Sequence, residues 1–87
     1  MLAGERAVFG QPEVKLGVIP GFGGTQRLVR RIGQAAAMDL ALTARSVRTA
    51  EAVALGLASR AVEGDVLEAA LGVAEEIMGN GPVAVRL

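Results

Sequence analysis

One acidic residue, Glu13, stands between Pro12 and a glycine-rich loop in the stretch VFGQPEVKLGVIPGFGGTQRL, residues 8 to 28. The chain holds no histidine and no cysteine to work beside it. Imidazole bases and thiolate nucleophiles are thereby excluded, and a zinc ion would lack its usual ligands. A carboxyl group can still take or give a proton, so acid–base work is the chemistry left open. The plainer use of Glu13 is structural, because a carboxylate in the first turn of a helix gains about 0.3–1 kcal/mol from the dipole. The loop itself, Gly21–Phe22–Gly23–Gly24, lacks dinucleotide-binding spacing because Gln26 occupies the third position. No Lys-Ser/Thr pair follows it, so it is not a phosphate-binding P-loop either. It reads as a tight elbow needing positive φ or close helix packing, or as a place where a backbone N–H points at something polar near Glu13.

These groups need elements to hold them. Ala7 to Gly10 reads as the end of a strand. Pro12 opens a short helical turn through Leu16 to Gly17. Thr25 is expected to cap a helix that buries Leu28, Val29 and Ile32 and stops at Gly33. Gln34 to Leu42 reads as an Ala-rich helix with Met38 and Leu42 facing inward. Ser46 to Arg48 is extended, and Thr49 is expected to cap a short helix that ends at Gly56. Leu57 to Val62 reads as a strand. Asp65, with Glu68 three residues on, is the best helix start in the chain. Leu67, Ala70, Leu71, Ala74 and Ile77 then follow helical spacing up to Gly79, as a core or subunit-contact stripe. Gly81–Pro82 opens a last helix that reaches barely one turn by Leu87.

Composition narrows the classes further. Apolar residues make up 52% of the 87, yet two phenylalanines are the only aromatics. A chain this short buries only about 60–65% of its unfolded surface, so apolar area is expected to stay uncovered. Nine basic and nine acidic residues cancel, which leaves no long-range field for nucleic acid or an anionic membrane. Arg27, Arg30 and Arg31 share one side of a helix; a solvated face is the plain reading and a phosphate contact the alternative. No segment has signal-peptide or membrane-spanning character, so a cytoplasmic setting is expected by default.

The order of residues carries more. FGQPEVKLGVIPGFGGTQRL resembles the central segment of the enoyl-CoA hydratase/isomerase (crotonase) family, and the likeness continues through LALTARSVRTAEAVALGLASRAV. It covers the chain from about Glu5 onward. The resemblance implies an α/β fold class. This chain would be part of a crotonase-like ββα spiral, mostly helical with two short strands, and residues 1–87 one partial domain. It implies that Glu13 is one of two catalytic glutamates and that Gly21 supplies a backbone N–H to the reacting water. Hydration of a 2-trans-enoyl-CoA in fatty acid β-oxidation then needs one carboxylate accepting from water and one carboxylic acid donating to C2. Val8, Phe9, Val18 and Ile19 are expected to keep water from that acid. An acyl-CoA thioester would be the substrate, with no cofactor beyond its coenzyme A, no metal, and a homo-oligomer, trimer or hexamer, as the assembly.

The resemblance also implies what lies elsewhere. In the family the first glutamate, the oxyanion hole and most of the CoA surface precede the matched segment, and long helices follow it. The chain is therefore expected to be a fragment cut at both ends and not an enzyme alone. Two departures, Ala44 for a usual glycine and Ala58 for a larger apolar residue, read as packing variations. An enoyl-CoA isomerase, working with a single glutamate, and a non-catalytic association module are the alternative functions.

Overall fold

The computed structural model describes residues 1–87. In chain order it comprises strand β1 (Leu2–Gly4), strand β2 (Val8–Phe9) and a 3-10 turn at Pro12–Leu16. Helix α1 (Gly24–Ile32) and helix α2 (Gln34–Thr43) follow, then β3 (Val47–Arg48), α3 (Thr49–Leu55), β4 (Arg60–Val62), α4 (Val66–Met78) and α5 (Pro82–Arg86). Four short strands thus stand where the sequence suggests two. They form two separate pairs, β1 parallel to β4 and β2 antiparallel to β3. Leu2, Ala3 and Gly4 face Arg60, Ala61 and Val62 in the parallel ladder, and Val8 and Phe9 face Arg48 and Val47 in the other. Three residues are too few to show alternation, so β1 is defined by a partner far along the chain and not by its own pattern.

The core is small and built from small side chains. Ala3, Leu40, Val47, Ala52 and Ala58 form its buried cluster, with Phe9, Leu28, Ile32, Val53 and Leu57 packed against it. Helix α2 turns Ala37 and Leu40 inward, while Met38 is exposed and Leu42 is 67% exposed, the reverse of the expectation for those two. Helix α1 and the 3-10 turn both pack against α2, whose buried positions are Ala37 and Leu40. The larger residues on the other face made the helix look inverted.

Capping differs from expectation at two starts. Helix α1 begins at Gly24, after Gly23 in the left-handed region (φ 77), and Thr25 lies exposed in the first turn without capping it. Thr49 does not cap α3 either: its buried hydroxyl donates to the Gly4 carbonyl, tying α3 to the end of β1. Glu51, another residue of that turn, instead takes a forked pair of hydrogen bonds from Arg45, at 3.0 and 2.8 Å. Arg45 Nε also donates to Asp39 Oδ2 at 2.8 Å, so one guanidinium clasps α2 to α3. The hydrogen bonds from Arg45 hold the Glu51 carboxyl below its usual range, and those to Glu51 and then Asp39 raise Arg45 above its own. Asp65 caps α4 as its spacing with Glu68 predicts, accepting from Glu68 N at 3.1 Å. Ala44 closes α2 in the left-handed region (φ 55), so a glycine preference there is a backbone matter and not one of packing.

Much surface is left open. The accessible area is 6350 Å² and the radius of gyration 15.3 Å. A compact chain of this mass and length would show about 4800 Å² and about 12 Å. The α4 stripe accounts for part of the excess, because Leu67, Leu71 and Ile77 are exposed, while Ala69, Ala70 and Val73 on the side toward β1 are half-buried. Gly4 lets α4 come that close, since a Cβ there would sit 2.9 Å from Val66 Cγ2.

Candidate active-site cleft

Pro12 has no N–H to lose at the start of the 3-10 turn and fixes φ for it, and Glu13 follows in the first turn. Gly17, at φ 75, ends the turn, and its N–H and that of Val18 reach back to the carbonyls of Val14 and Glu13. Glu13 is held this way by backbone alone. Its half-buried side chain takes part in none of the ion pairs, leaving the carboxyl group available.

The glycine loop lies across from it. A cleft of about 510 Å³ is lined by Glu13 and Gly21 together, with Gln11, Arg27, Arg31 and Leu57 among the other walls. That volume is within the range of small-molecule sites, about 300–1,000 Å³. The structure thus brings the two sequence-predicted residues to one cavity. Gly21 carries neither positive φ nor any crowding, because a Cβ there would meet nothing within 4 Å. Its carbonyl accepts from Gly24 N at 3.0 Å, while its N–H donates to no group of the chain. Positive φ is required instead at Gly23, and close approach at Gly24, where a Cβ would lie 2.6 Å from the Gln11 amide nitrogen.

Gln11 lines this candidate cleft too, and composition and motif reading passed it over. Its carboxamide lies against Gly24 at the start of α1. The third glycine of the loop is the signal that could have found it. The arginines divide: Arg27 and Arg31 line the cleft at helical spacing of four, and Arg30 does not. The proposed drying wall is absent from this chain. Val8, Val18 and Ile19 are exposed, Ile19 by 86%, and only Phe9 among the four is half-buried. Nothing within the 87 residues covers them.

Comparison with known proteins agrees with this geometry. The profile of the family described as "Enoyl-CoA hydratase/isomerase" matches residues 1–87. The chain is similar to a probable enoyl-CoA hydratase of Rhizobium meliloti, 59% identical over 78 residues, covering 88% of this chain and 30% of the relative. It is also similar to a short-chain-enoyl-CoA hydratase of Clostridium acetobutylicum, 46% identical over 87 residues, covering 99% and 33%. Among solved structures, the 1.8 Å crystal structure of an enoyl-CoA hydratase from Bacillus anthracis superimposes with a TM-score of 0.90 at 45% identity, covering 98% of this chain and 33% of that one. The chain spans about a third of the length of these relatives. High likeness over the whole of the 87 residues, in sequence and in backbone, makes this chain a member of the enoyl-CoA hydratase/isomerase family.

Proposed function

We propose that this chain carries the proton-donating half of an enoyl-CoA hydratase site, with Glu13 as the acid and Gly21 as a water-holding amide. The observation that supports it is the cleft where an unpaired carboxyl group and a backbone N–H with no internal partner stand together. The reaction adds water to a 2-trans-enoyl-CoA. A water oxygen, hydrogen-bonded by Gly21 N–H, forms a bond to C3 while Glu13 gives its proton to C2. A second carboxylate, supplied by polypeptide outside these 87 residues, takes the proton lost by the water. The net change is one H and one OH across the double bond, and a proton returned to Glu13 resets the site. Fatty acid β-oxidation is the setting proposed for this step, in a homo-oligomer, with no cofactor beyond the coenzyme A of the substrate.

The same cleft is compatible with a second reading within the family. Glu13 is the sole carboxylate among the residues lining the cleft. One carboxyl group suffices for an enoyl-CoA isomerase, which takes a proton from one carbon and returns it to another.

The test places these 87 residues in the matching segment of the Clostridium acetobutylicum relative and replaces Glu13 with Gln. Hydration of a short 2-trans-enoyl-CoA is expected to fall about 10²–10⁴-fold with little change in KM. Hydration within twofold of the parent chimera would sink the assignment. Loss of double-bond migration in a parent that never hydrated would shift it to the isomerase.

A further inference from the structure

We propose that Asn80 is a site of covalent modification, where water replaces the carboxamide nitrogen and leaves an aspartyl or isoaspartyl residue between α4 and α5. Neither Asn80 nor Gly81 lines the cleft, and the inference is independent of the hydratase reading. Asn80 is the single asparagine of the chain, and glycine follows it. The step is a ring closure. The Gly81 nitrogen bonds to Asn80 Cγ, the Cγ–Nδ2 bond breaks, and ammonia leaves with the proton that the Gly81 N–H gave up. Water then opens the cyclic imide at either carbonyl. Opening at one carbonyl yields a side-chain carboxylic acid; opening at the other carries the main chain through the former side chain. The balance is one water in and one ammonia out, with no oxidant or reductant.

The fold suits that step. Asn80 and Gly81 are both exposed, so water reaches them. The Gly81 N–H donates to no group of the chain, so the nucleophile has no hydrogen bond to break. A Cβ at Gly81 would meet nothing within 4 Å, so no neighbour crowds it, and glycine adds no side chain of its own. One contact opposes the reaction. Asn80 Nδ2 donates to the Glu76 carbonyl at 2.8 Å, satisfying an acceptor that the end of α4 would otherwise leave open. The carboxamide must leave that carbonyl before Cγ can turn toward Gly81. A single exposed hydrogen bond slows this about two- to tenfold. The same contact gives the modification a consequence. A carboxylate cannot donate to the Glu76 carbonyl, and it adds negative charge one turn beyond Glu76, at the negative end of the helix dipole. The last turn of α4 should then loosen, while Asp65 still holds the first.

Incubation of the 87-residue chain at neutral pH and physiological temperature, followed by mass spectrometry, tests this. The tryptic peptide 61–86 contains no glutamine and no other asparagine, so an amide-to-acid mass gain there comes only from Asn80. That gain should appear with an isoaspartyl fraction, at a rate within about tenfold of the chain unfolded in guanidinium chloride. A greater slowing would show that the fold shields Asn80, and would overturn the proposal. Gly81 sits at φ −62 and ψ 118, the extended conformation that a following proline favours, and an alanine adopts it without strain. Gly81→Ala should therefore keep the far-UV circular dichroism and slow the gain severalfold; an unchanged rate would overturn ring closure through Gly81. Asn80→Gln should show no gain over the same period, and a gain there would place the reaction elsewhere. In Asn80→Asp, hydrogen exchange at the Ile77, Met78 and Gly79 amides should speed up about two- to fivefold, with α2 unchanged. Exchange equal to the parent's would overturn the loosening of α4.

Discussion

The segment from Gly33 to Ala58 and the segment from Pro12 to Gly24 are both rich in small residues, yet they behave as opposites. The first holds seven of the eight buried residues, Val47 and Ala52 among them at 0% exposure. The second holds no buried residue, and Leu16, Ile19 and Phe22 all point outward. In the first, the buried side chains find their neighbours inside the 87 residues. In the second, the backbone is fixed locally by Pro12, Gly17 and Gly23, but the side chains find no cover. A well-defined backbone with unsatisfied surroundings is what a site looks like when part of its wall is other polypeptide. The family likeness over about a third of each relative agrees with that.

The sharpest way to break the contrast is a pair of truncations. Leu40→Ala removes a side chain that is 2% exposed at the centre of the core cluster. It should cost about 2–5 kcal/mol, a large part of the 4–13 kcal/mol or so that a chain of this length commands. Ile19→Ala, at the same kind of residue but 86% exposed, should stay within about 0.5 kcal/mol. Urea unfolding followed by far-UV circular dichroism checks both. Equal losses would mean that the loop packs far more than its exposure shows.

What the sequence disclosed follows the same division. Local signals worked: the Asp65–Glu68 cap, the Pro12 turn, and the glycines that end α1 and α3 are all decided within four residues of themselves. Signals needing a distant partner failed. Strand β1 exists because of β4, and Thr49 serves Gly4 across 45 residues where a cap was the local expectation. The inner face of α2 was misjudged because an Ala-rich, apolar helix offers several possible inner faces, and only its neighbours decide that Ala37 and Leu40 are buried and Met38 and Leu42 are not. Of the candidate cleft, Glu13 and Gly21 were named from motif order and both line it, while Gln11 needed the fold to show that it lines it too.

An effect of intermediate size concerns the clasp that fastens the ordered region. Glu51 has its proton affinity lowered in the fold by the hydrogen bonds from Arg45. A lowered folded value means the stabilisation is fully present above the unfolded value, about 4.3, and is lost as pH falls through the folded one. Arg45 stays charged throughout. The urea midpoint should therefore be level from about pH 7 to 5 and drop below about pH 4, with a smaller acid drop in Arg45→Gln. Both side chains are over 40% exposed, so salt should shrink the difference. The same acid drop in Arg45→Gln as in the parent would show that the clasp does not hold in solution.

The finest test uses one backbone feature that the two regions share. Phe22 and Ala44 both sit at φ 55, the only non-glycine residues with positive φ. Glycine relieves about 1–2 kcal/mol of left-handed strain at either position and returns about 0.5–1 kcal/mol through the freer unfolded chain. At Phe22 nothing else changes, because the ring is wholly exposed, so Phe22→Gly should gain about 0.5–1 kcal/mol. At Ala44 the methyl is buried at 3% exposure, and losing it costs about 0.8 kcal/mol more. Ala44→Gly should therefore fall within about 0.5 kcal/mol of zero. The same dihedral would then give a gain in the open loop and none in the core. A gain at Ala44 matching that at Phe22 would mean its methyl contributes no packing. No gain at Phe22 would mean that the loop opens before the rest of the chain unfolds, and global unfolding does not report on it.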